Sequence, residues 1–189
     1  MSRSARRWAS VVVCVSLVFL AFSTLAVAKK DKNAEKRAEI DAMAAKALET
    51  VLSKSPEAKA LYGKAVGHAA FENLKIAIGV SGGGGSGVAV PKSGNRVYMK
   101  MGTAGIGLGL GGQKYQVVFL FENEQAFKSF VDKGWQADAS AQAAAADKGA
   151  DAAGTFKNGV AVYQLTDKGL IASADIAGTK YWKNDDLNK

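Results

Sequence analysis

The stretch GIGLGLGG, residues 105–112, places a glycine at every second position, with an aliphatic residue between each pair. In a β-strand, successive side chains point to opposite faces. One face of this stretch is therefore aliphatic, and the other is bare backbone, formed by Gly105, Gly107, Gly109 and Gly111. Glycine within a strand costs stability and usually marks a bend or a close approach by another group. The pattern predicts a strand against which something packs closely.

Two kinds of neighbour would fit that bare face. Small residues recur on other predicted strands, and strands with small faces curve tightly or let a helix lie against the backbone. We therefore expect internal packing, by a segment such as the helix of residues 31–54. A lipid chain held in the glycine groove is the alternative.

The sequence on either side predicts a run of antiparallel strands over residues 72–121. A two-residue alternation from Leu74 to Val80 leads into SGGGGSG, where we expect that strand to end, and the PKSGN sequence at residues 91–95 predicts a turn. The segments RVYMKMG and QKYQVVFLF supply further strands. The last of these is rich in β-branched and aromatic residues, as strands usually are.

Two more strand regions follow towards the C-terminus. WQADASAQA, residues 135–143, is rich in alanine, but its strict alternation predicts a strand, because only a strand separates the two sets of residues onto opposite faces. GVAVYQL and LIASADIAGTKYW flank the tight turn TDKG, which predicts a hairpin.

Helical periodicity is found outside these regions. Residues 29–55 read as an amphipathic helix, and Ser55, Pro56 and Glu57 supply an N-cap, a first-turn proline and a first-turn acid for a second helix. Residues 122–135 carry an apolar stripe at helical spacing. The fold class predicted is α+β, with an antiparallel strand-rich sheet or barrel-like core, N-terminal amphipathic helices and one mid-chain helix.

The first 28 residues have the pattern of a secretory signal peptide. Arginines precede an apolar run that ends in an A-x-A site at Ala26 and Ala28. An uncleaved membrane anchor is the alternative, because the run is just long enough to span a bilayer. We expect cleavage after Ala28, a helix over residues 29–55 and one domain over residues 56–189. Cleavage would remove Cys14, the chain's one cysteine.

The remaining charge is concentrated in the middle of the chain. Residues 54–114 carry eight basic and two acidic side chains, a net charge of +6, whereas residues 115–189 carry eight and ten, a net charge of −2. An excess of positive charge suits an anionic surface such as a phospholipid leaflet. Ordinary solubilising charge is the alternative.

No catalytic pattern is found. The two GxGxxG matches, at residues 82–87 and 107–112, lead into strands rather than into the helix that a dinucleotide site requires. His68, the chain's one histidine, has neither metal-ligand spacing nor a nucleophile motif around it. We expect a structural histidine beside Phe71, no cofactor, no metal and no enzymatic activity.

The clearest candidate for an anionic docking site lies beside the PKSGN turn. Arg96, Tyr98 and Lys100 alternate and so share one strand face, and Lys92 lies across the turn. The lysine and arginine side chains would attract headgroup phosphates, and a tyrosine ring suits the polar boundary of a membrane. A solvated strand face is the alternative.

The order of several blocks resembles the SYLF domain family, also called the yeast actin-binding or DUF500 family. The blocks are AAFENLKIAIGVSGGGGSGVAV, then GIGLGLGGQKYQVVFLFENEQAFKSF, then AVYQLTDKGLIASADIAGTKYW, and the resemblance covers about residues 56–182. It implies binding to phosphoinositides and acidic membranes, partly through an N-terminal amphipathic helix, and in some members binding to actin.

The expected function is that of a non-catalytic lipid-binding protein of the bacterial cell envelope, which docks on anionic phospholipid headgroups or holds lipid. It is expected to be periplasmic or exported, and peripherally associated with the membrane. The alternative is a structural or assembly protein that binds another envelope protein. Nucleic acid is not an expected partner. Actin is not one either, because the N-terminal helix is nearly charge-balanced and the chain has no SH3 or FYVE module.

Overall fold

The computed structural model describes residues 32–136, 155–167, 169–172 and 178–189, and for residues 77–81, 105–111, 136 and 172 it describes the backbone alone. The chain divides into two units, Met1–Ala38 and Glu39–Lys189. In the first unit the described residues, 32–38, are helical. The described strands and all the other described helical residues belong to the second unit.

Three helices and six strands lie in the described residues. The helices are α1 (residues 32–54), α2 (Pro56–Lys64) and α3 (Glu124–Lys133). The strands are β1 (Gly67–Pro91), β2 (Val97–Phe121), β3 (Trp135–Gln136), β4 (Val160–Thr166), β5 (Gly169–Ala172) and β6 (Thr179–Lys183).

Local sequence signals set the ends of α2 and α3. The Ser55 hydroxyl accepts a hydrogen bond from the backbone N–H of Ala58, and proline occupies the first turn of α2. The Asn123 side chain caps α3 in the same way. Gly134 ends α3 with a φ of 73°, in the left-handed region that favours glycine. Both helices therefore lie where the sequence predicts them.

One antiparallel sheet contains all six described strands. β2 pairs with β1 along one edge, from Phe121 opposite Gly67 to Val97 opposite Ala89. Its other edge is shared, because β6 pairs with Met99–Thr103 and β4 pairs with Gln116–Phe121. β3 adds to β6, and β5 adds to β4. β2 is thus the strand that connects the two halves of the sheet.

The first strand doubles back on itself. A straight strand of 25 residues would be about 80 Å long, but a Cβ built on Gly83 would lie 2.6 Å from the carbonyl oxygen of Leu74, and one on Gly67 would lie 2.9 Å from that of Val90. Gly85 meets the Glu72 carbonyl still more closely. These pairs are symmetric about residues 78–79, where the register of the β1–β2 pairing shifts. The strand therefore turns there, and its two halves lie against each other.

This geometry corrects one prediction and bears on another. The strand does not end at SGGGGSG; it continues to Pro91, because the glycines of the second half admit the backbone of the first half. The close neighbour at Gly83, Gly85 and Gly87 belongs to the same chain, but it is β1 and not the N-terminal helix. Residues 105–111 are in strand, as predicted. The surroundings of Gly105, Gly107, Gly109 and Gly111 lie outside the description, so the choice between internal packing and a lipid groove stays a prediction.

Hydrophobic side chains are buried on both faces of the sheet. One face packs against α1 and α2, with Ala44, Ala47 and Val51 of α1 meeting Val118 and Leu120 of β2 in one cluster. The opposite face carries an aromatic cluster that α3 covers, and its rings belong to Phe71, Phe119, Phe121, Phe130 and Tyr181. The consecutive residues Val117 to Phe121 are all fully buried, as in a strand between two layers.

The α+β class is confirmed, and the sheet is open rather than a closed barrel. The predicted closing hairpin is present at the turn, with Thr166 paired to Gly169. Its second arm was predicted as LIASADIAGTKYW, but β5 ends at Ala172, and TKYW lies in β6, which pairs with β2 and β3 instead. Of the strand predicted over residues 135–143, Trp135 and Gln136 form β3. The rest of that segment lies outside the described residues.

Candidate functional site

The outward face of β2 and β6 brings two lysines and a tryptophan together. Lys100 lies opposite Trp182, and Gly102 lies opposite Lys180. Residues directly opposite in a sheet share a face, and Lys100 and Gly102 are two residues apart, so Lys100, Lys180 and Trp182 form one surface. We call these three residues the Lys–Trp face.

The indole ring of Trp182 lies over bare backbone. A Cβ on Gly102 would stand 3.2 Å from Cη2 of the ring, so the ring covers the glycine closely. Trp182 is nevertheless 39% exposed, and Lys180 is exposed beside it. No carboxylate within the described residues forms an ion pair with Lys100 or Lys180. The face thus offers two cations and a partly exposed aromatic ring to whatever contacts it.

Two residues of the predicted headgroup site hold the first helix. One carboxylate oxygen of Asp41, on α1, accepts a hydrogen bond from Nη1 of Arg96 at 2.7 Å and another from the Tyr98 hydroxyl at 3.1 Å. The Tyr98 backbone is fixed as well, because its N–H donates to the Asn188 side chain and its carbonyl accepts from the Asn184 N–H. Arg96 and Tyr98 therefore do meet, around an acidic side chain of the same chain.

Lys92, the fourth predicted site residue, binds the end of the second helix. Its ammonium donates to the Gly63 carbonyl at 3.0 Å and lies 5.9 Å from the centre of the Tyr62 ring. A cation at a helix C-terminus is favourable there, because the unpaired carbonyls carry partial negative charge. This contact gives Lys92 a structural role, and whether it also meets a headgroup stays a prediction.

His68 lies in the same region, at the start of β1. Its ring packs edge-on against Tyr62, with 5.7 Å between ring centres, rather than against Phe71. Burial, assisted by the positive charge of Arg96, lowers the pKa of His68 to about 4. The imidazole is therefore neutral at physiological pH.

The buried histidine makes stability depend on pH. Its pKa is about 4 in the folded protein and about 6.5 in the unfolded chain, so the unfolded chain binds the proton more readily. Stability should fall as the pH drops from 6.5 towards 4, and this one group should account for about 2 kcal/mol between pH 7 and pH 5. Urea unfolding at both pH values measures the loss. His68→Gln should show a smaller loss by that amount, and an equal loss in both proteins would contradict the pKa.

Sequence reasoning missed Lys180, Trp182 and Asp41. The alternation in TKYWK, residues 179–183, does place Lys180 and Trp182 on one strand face. Nothing local indicates that this face lies beside Lys100, 82 residues before Trp182, or that Asp41 reaches Arg96. These placements follow from strand and helix packing over long sequence separations.

The described part of the chain contains neither a metal-site cluster nor a membrane-spanning helix. No three His, Cys, Asp or Glu side chains there are grouped as a metal site would require. No helix there has the length and apolar character needed to cross a membrane.

The structure thus defines an α+β domain built on a doubled-back hairpin, with a cationic, aromatic patch on its outward face. The family described as Ysc84, Las17-binding protein actin regulator, has a sequence model that matches residues 102–189. Beta cell expansion factor A of Aeromonas veronii is 40% identical to this chain over 156 residues, which is 82% of the chain and 60% of the relative. Residues 102–189 therefore form a match to the Ysc84 domain family, the SYLF family that the sequence resembles. The chain spans less than two thirds of that relative's length.

Proposed function

We propose that this protein is a non-catalytic lipid-binding protein that docks on anionic phospholipid membranes through the Lys–Trp face. The observation that carries the proposal is the pairing of the half-buried Lys100 with the exposed Trp182 on one strand face, with the exposed Lys180 beside them. The match to the Ysc84 family also supports the proposal, because the resemblance to that family implies lipid binding.

The chemistry of the face matches the layers of a membrane surface. Lysine ammonium groups attract headgroup phosphates, and an indole ring has an apolar body with one polar N–H, which suits the boundary between headgroups and acyl chains. The middle of the chain adds a net charge of +6 over residues 54–114. Anionic lipid surfaces attract each nearby cation with about 1 kcal/mol.

Reversing both lysines should weaken docking strongly. Lys100→Glu with Lys180→Glu removes two attractive charges, which alone corresponds to about a thirtyfold loss of affinity. Repulsion of the new carboxylates adds to that loss. Co-sedimentation with vesicles of phosphatidylglycerol and phosphatidylcholine measures the affinity, which should also fall as salt is added.

The matched control makes the same change of net charge elsewhere. Lys46→Glu with Lys59→Glu alters exposed lysines of α1 and α2 and should weaken binding far less. Trp182→Phe should abolish a blue shift of tryptophan fluorescence that vesicles induce in the unmodified protein. Equal losses in the two double variants, or equal binding to neutral vesicles, would contradict docking through this face.

We propose further that the protein acts at the bacterial envelope, exported and peripherally bound after removal of residues 1–28. The A-x-A site after the apolar run supports this location. The intact mass of the exported protein tests it, because a chain that keeps residues 1–28 would contradict cleavage at Ala28.

A second candidate function, binding to another envelope protein, has one observation in its favour. Leu74 and Ile76 lie on the same face of β1 and are 43% and 51% exposed. Adjacent exposed aliphatic side chains of this kind suit a protein partner. The absence of vesicle binding, together with a stable partner that Leu74→Asp releases, would favour this alternative.

A further inference from the structure

Asp41 satisfies two strong donors with a single oxygen atom. Its Oδ2 accepts from both Nη1 of Arg96 and the Tyr98 hydroxyl. Its other oxygen, Oδ1, is buried and has no hydrogen-bond partner. A carboxylate oxygen buried in this way is costly, because it has lost water and gained nothing in return. The contact is therefore close but incomplete.

A phosphate group would fit the same donors better. Arginine binds phosphate through two parallel N–H donors, and a phosphate keeps further oxygens for a hydroxyl such as that of Tyr98. Here the Arg96 side chain is 54% exposed, whereas that of Asp41 is 26% exposed. The donors are thus within reach of a ligand from solvent.

The groups around this contact favour a phosphate over the single carboxylate of Asp41. Lys100 lies two residues from Tyr98 on the same strand face, and His68, which the charge of Arg96 reaches, is neutral at physiological pH. Tyr98 cannot move away, because Asn184 and Asn188 hold its backbone. Asp41 is the member of the contact that lies on a different element, α1.

We propose that Arg96 and Tyr98 form a binding site for the phosphate of a membrane phospholipid, and that Asp41 occupies this site when no membrane is present. Tyr98 lies on the strand that carries Lys100, and Arg96 directly precedes that strand, so the site extends the Lys–Trp face. Docking then exchanges the carboxylate of Asp41 for a lipid phosphate. This inference rests on the proposed membrane function and adds a competing internal ligand to it.

Neutralising Asp41 should strengthen docking. In Asp41→Asn the charge of Arg96 is no longer compensated, and one additional cation at an anionic bilayer corresponds to about a fivefold gain in affinity. Glu39→Gln is the matched control, because Glu39 is exposed on the same helix and its loss changes the net charge equally. We expect a gain below twofold from that control.

A double-variant cycle isolates the contact. If the gain comes from Arg96, Asp41→Asn should have no effect in an Arg96→Gln protein. Tyr98→Phe, which removes one hydroxyl, should reduce the gain. A gain equal to that of Glu39→Gln, or one that persists in the Arg96→Gln background, would overturn the proposal.

The same variants separate this inference from the function on which it rests. If the unmodified protein binds anionic vesicles but Asp41→Asn and Glu39→Gln behave alike, only the inference fails. If neither the unmodified protein nor Asp41→Asn binds vesicles, the membrane function fails. Inorganic phosphate alone is the remaining probe. NMR signals of His68, the chain's single histidine, report phosphate binding at Arg96, because the His68 ring senses the charge of Arg96. Changes in the His68 chemical shift that phosphate causes in Asp41→Asn, and that vanish when Arg96→Gln is added, support the site. Saturation of the site by free phosphate, without any binding to vesicles, would overturn a lipid as the source of the phosphate.

Discussion

Gly85→Ala should destabilise the protein by at least about 3 kcal/mol, near the upper end of the usual cost of overpacking. The added Cβ would collide with the backbone carbonyl of Glu72, and it would also lie 3.1 Å from the Cα of Asn73. Backbone atoms of a paired strand cannot rotate away as a flexible side chain can. The two halves of β1 would have to separate, and the pairing of β1 with β2 would be disturbed with them.

The neighbouring glycine provides the control. A Cβ on Gly84 points to the other face and would meet only the Met101 carbonyl oxygen, at an ordinary 3.7 Å. Gly84→Ala should therefore leave stability within about 0.5 kcal/mol of the unmodified protein. Urea unfolding followed by circular dichroism compares the two. Similar midpoints for both variants would mean that the halves of β1 do not touch as described.

Phe119→Ala should cost about 3–5 kcal/mol, the range for removal of a large aromatic side chain from a core. The Phe119 ring is fully buried and lies 5.0 Å from the ring centre of Phe130 and 5.1 Å from that of Tyr181. Phe71 and Trp135 also contact it edge-on. The cavity would therefore open at the centre of the cluster that joins β1, β2, β6 and α3.

A phenylalanine at the margin of the same cluster is the comparison. Phe127 is partly buried and, among the described rings of the cluster, contacts Phe121 alone, edge-on. Phe127→Ala should cost clearly less than Phe119→Ala, because fewer contacts are lost and water can fill the space. Thermal unfolding of both variants measures the difference, and equal costs would contradict the central position of Phe119.

Local signals in the sequence are sufficient to predict the helices and most strands of the sheet. Ser55 and Pro56 start α2, and the alternation after Phe71 indicates β1, because capping and periodicity depend on residues close together in the chain. The doubling back of β1 was not predictable in this way. It depends on a match between residues 67–75 and residues 83–90, and the sequence of a glycine run is equally typical of the end of a strand.

The candidate site was predictable to a smaller extent. Alternation predicted Arg96, Tyr98 and Lys100 on one strand face, and the register confirms this for Tyr98 and Lys100, whereas Arg96 lies one residue before β2 begins. Their partners come from distant segments: Asp41 is 55 residues from Arg96, and Trp182 is 82 residues from Lys100. No local pattern encodes such pairs, because they arise only when helix and strands pack together.

The doubled-back strand also has a consequence for folding kinetics. Gly83 and Leu74, which touch across the bend, are nine residues apart in sequence, whereas Met101 and Tyr181, which pair across β2 and β6, are 80 apart. Closing a short loop costs less entropy than closing a long one, and proteins dominated by local contacts fold faster. The β1–β2 unit should therefore form early, and the C-terminal strands should add later to the two free stretches of β2. Until β4 and β6 pair with it, that edge of β2 exposes unpaired backbone groups. The pairing of β4 and β6 is therefore the step at which association between chains competes with folding.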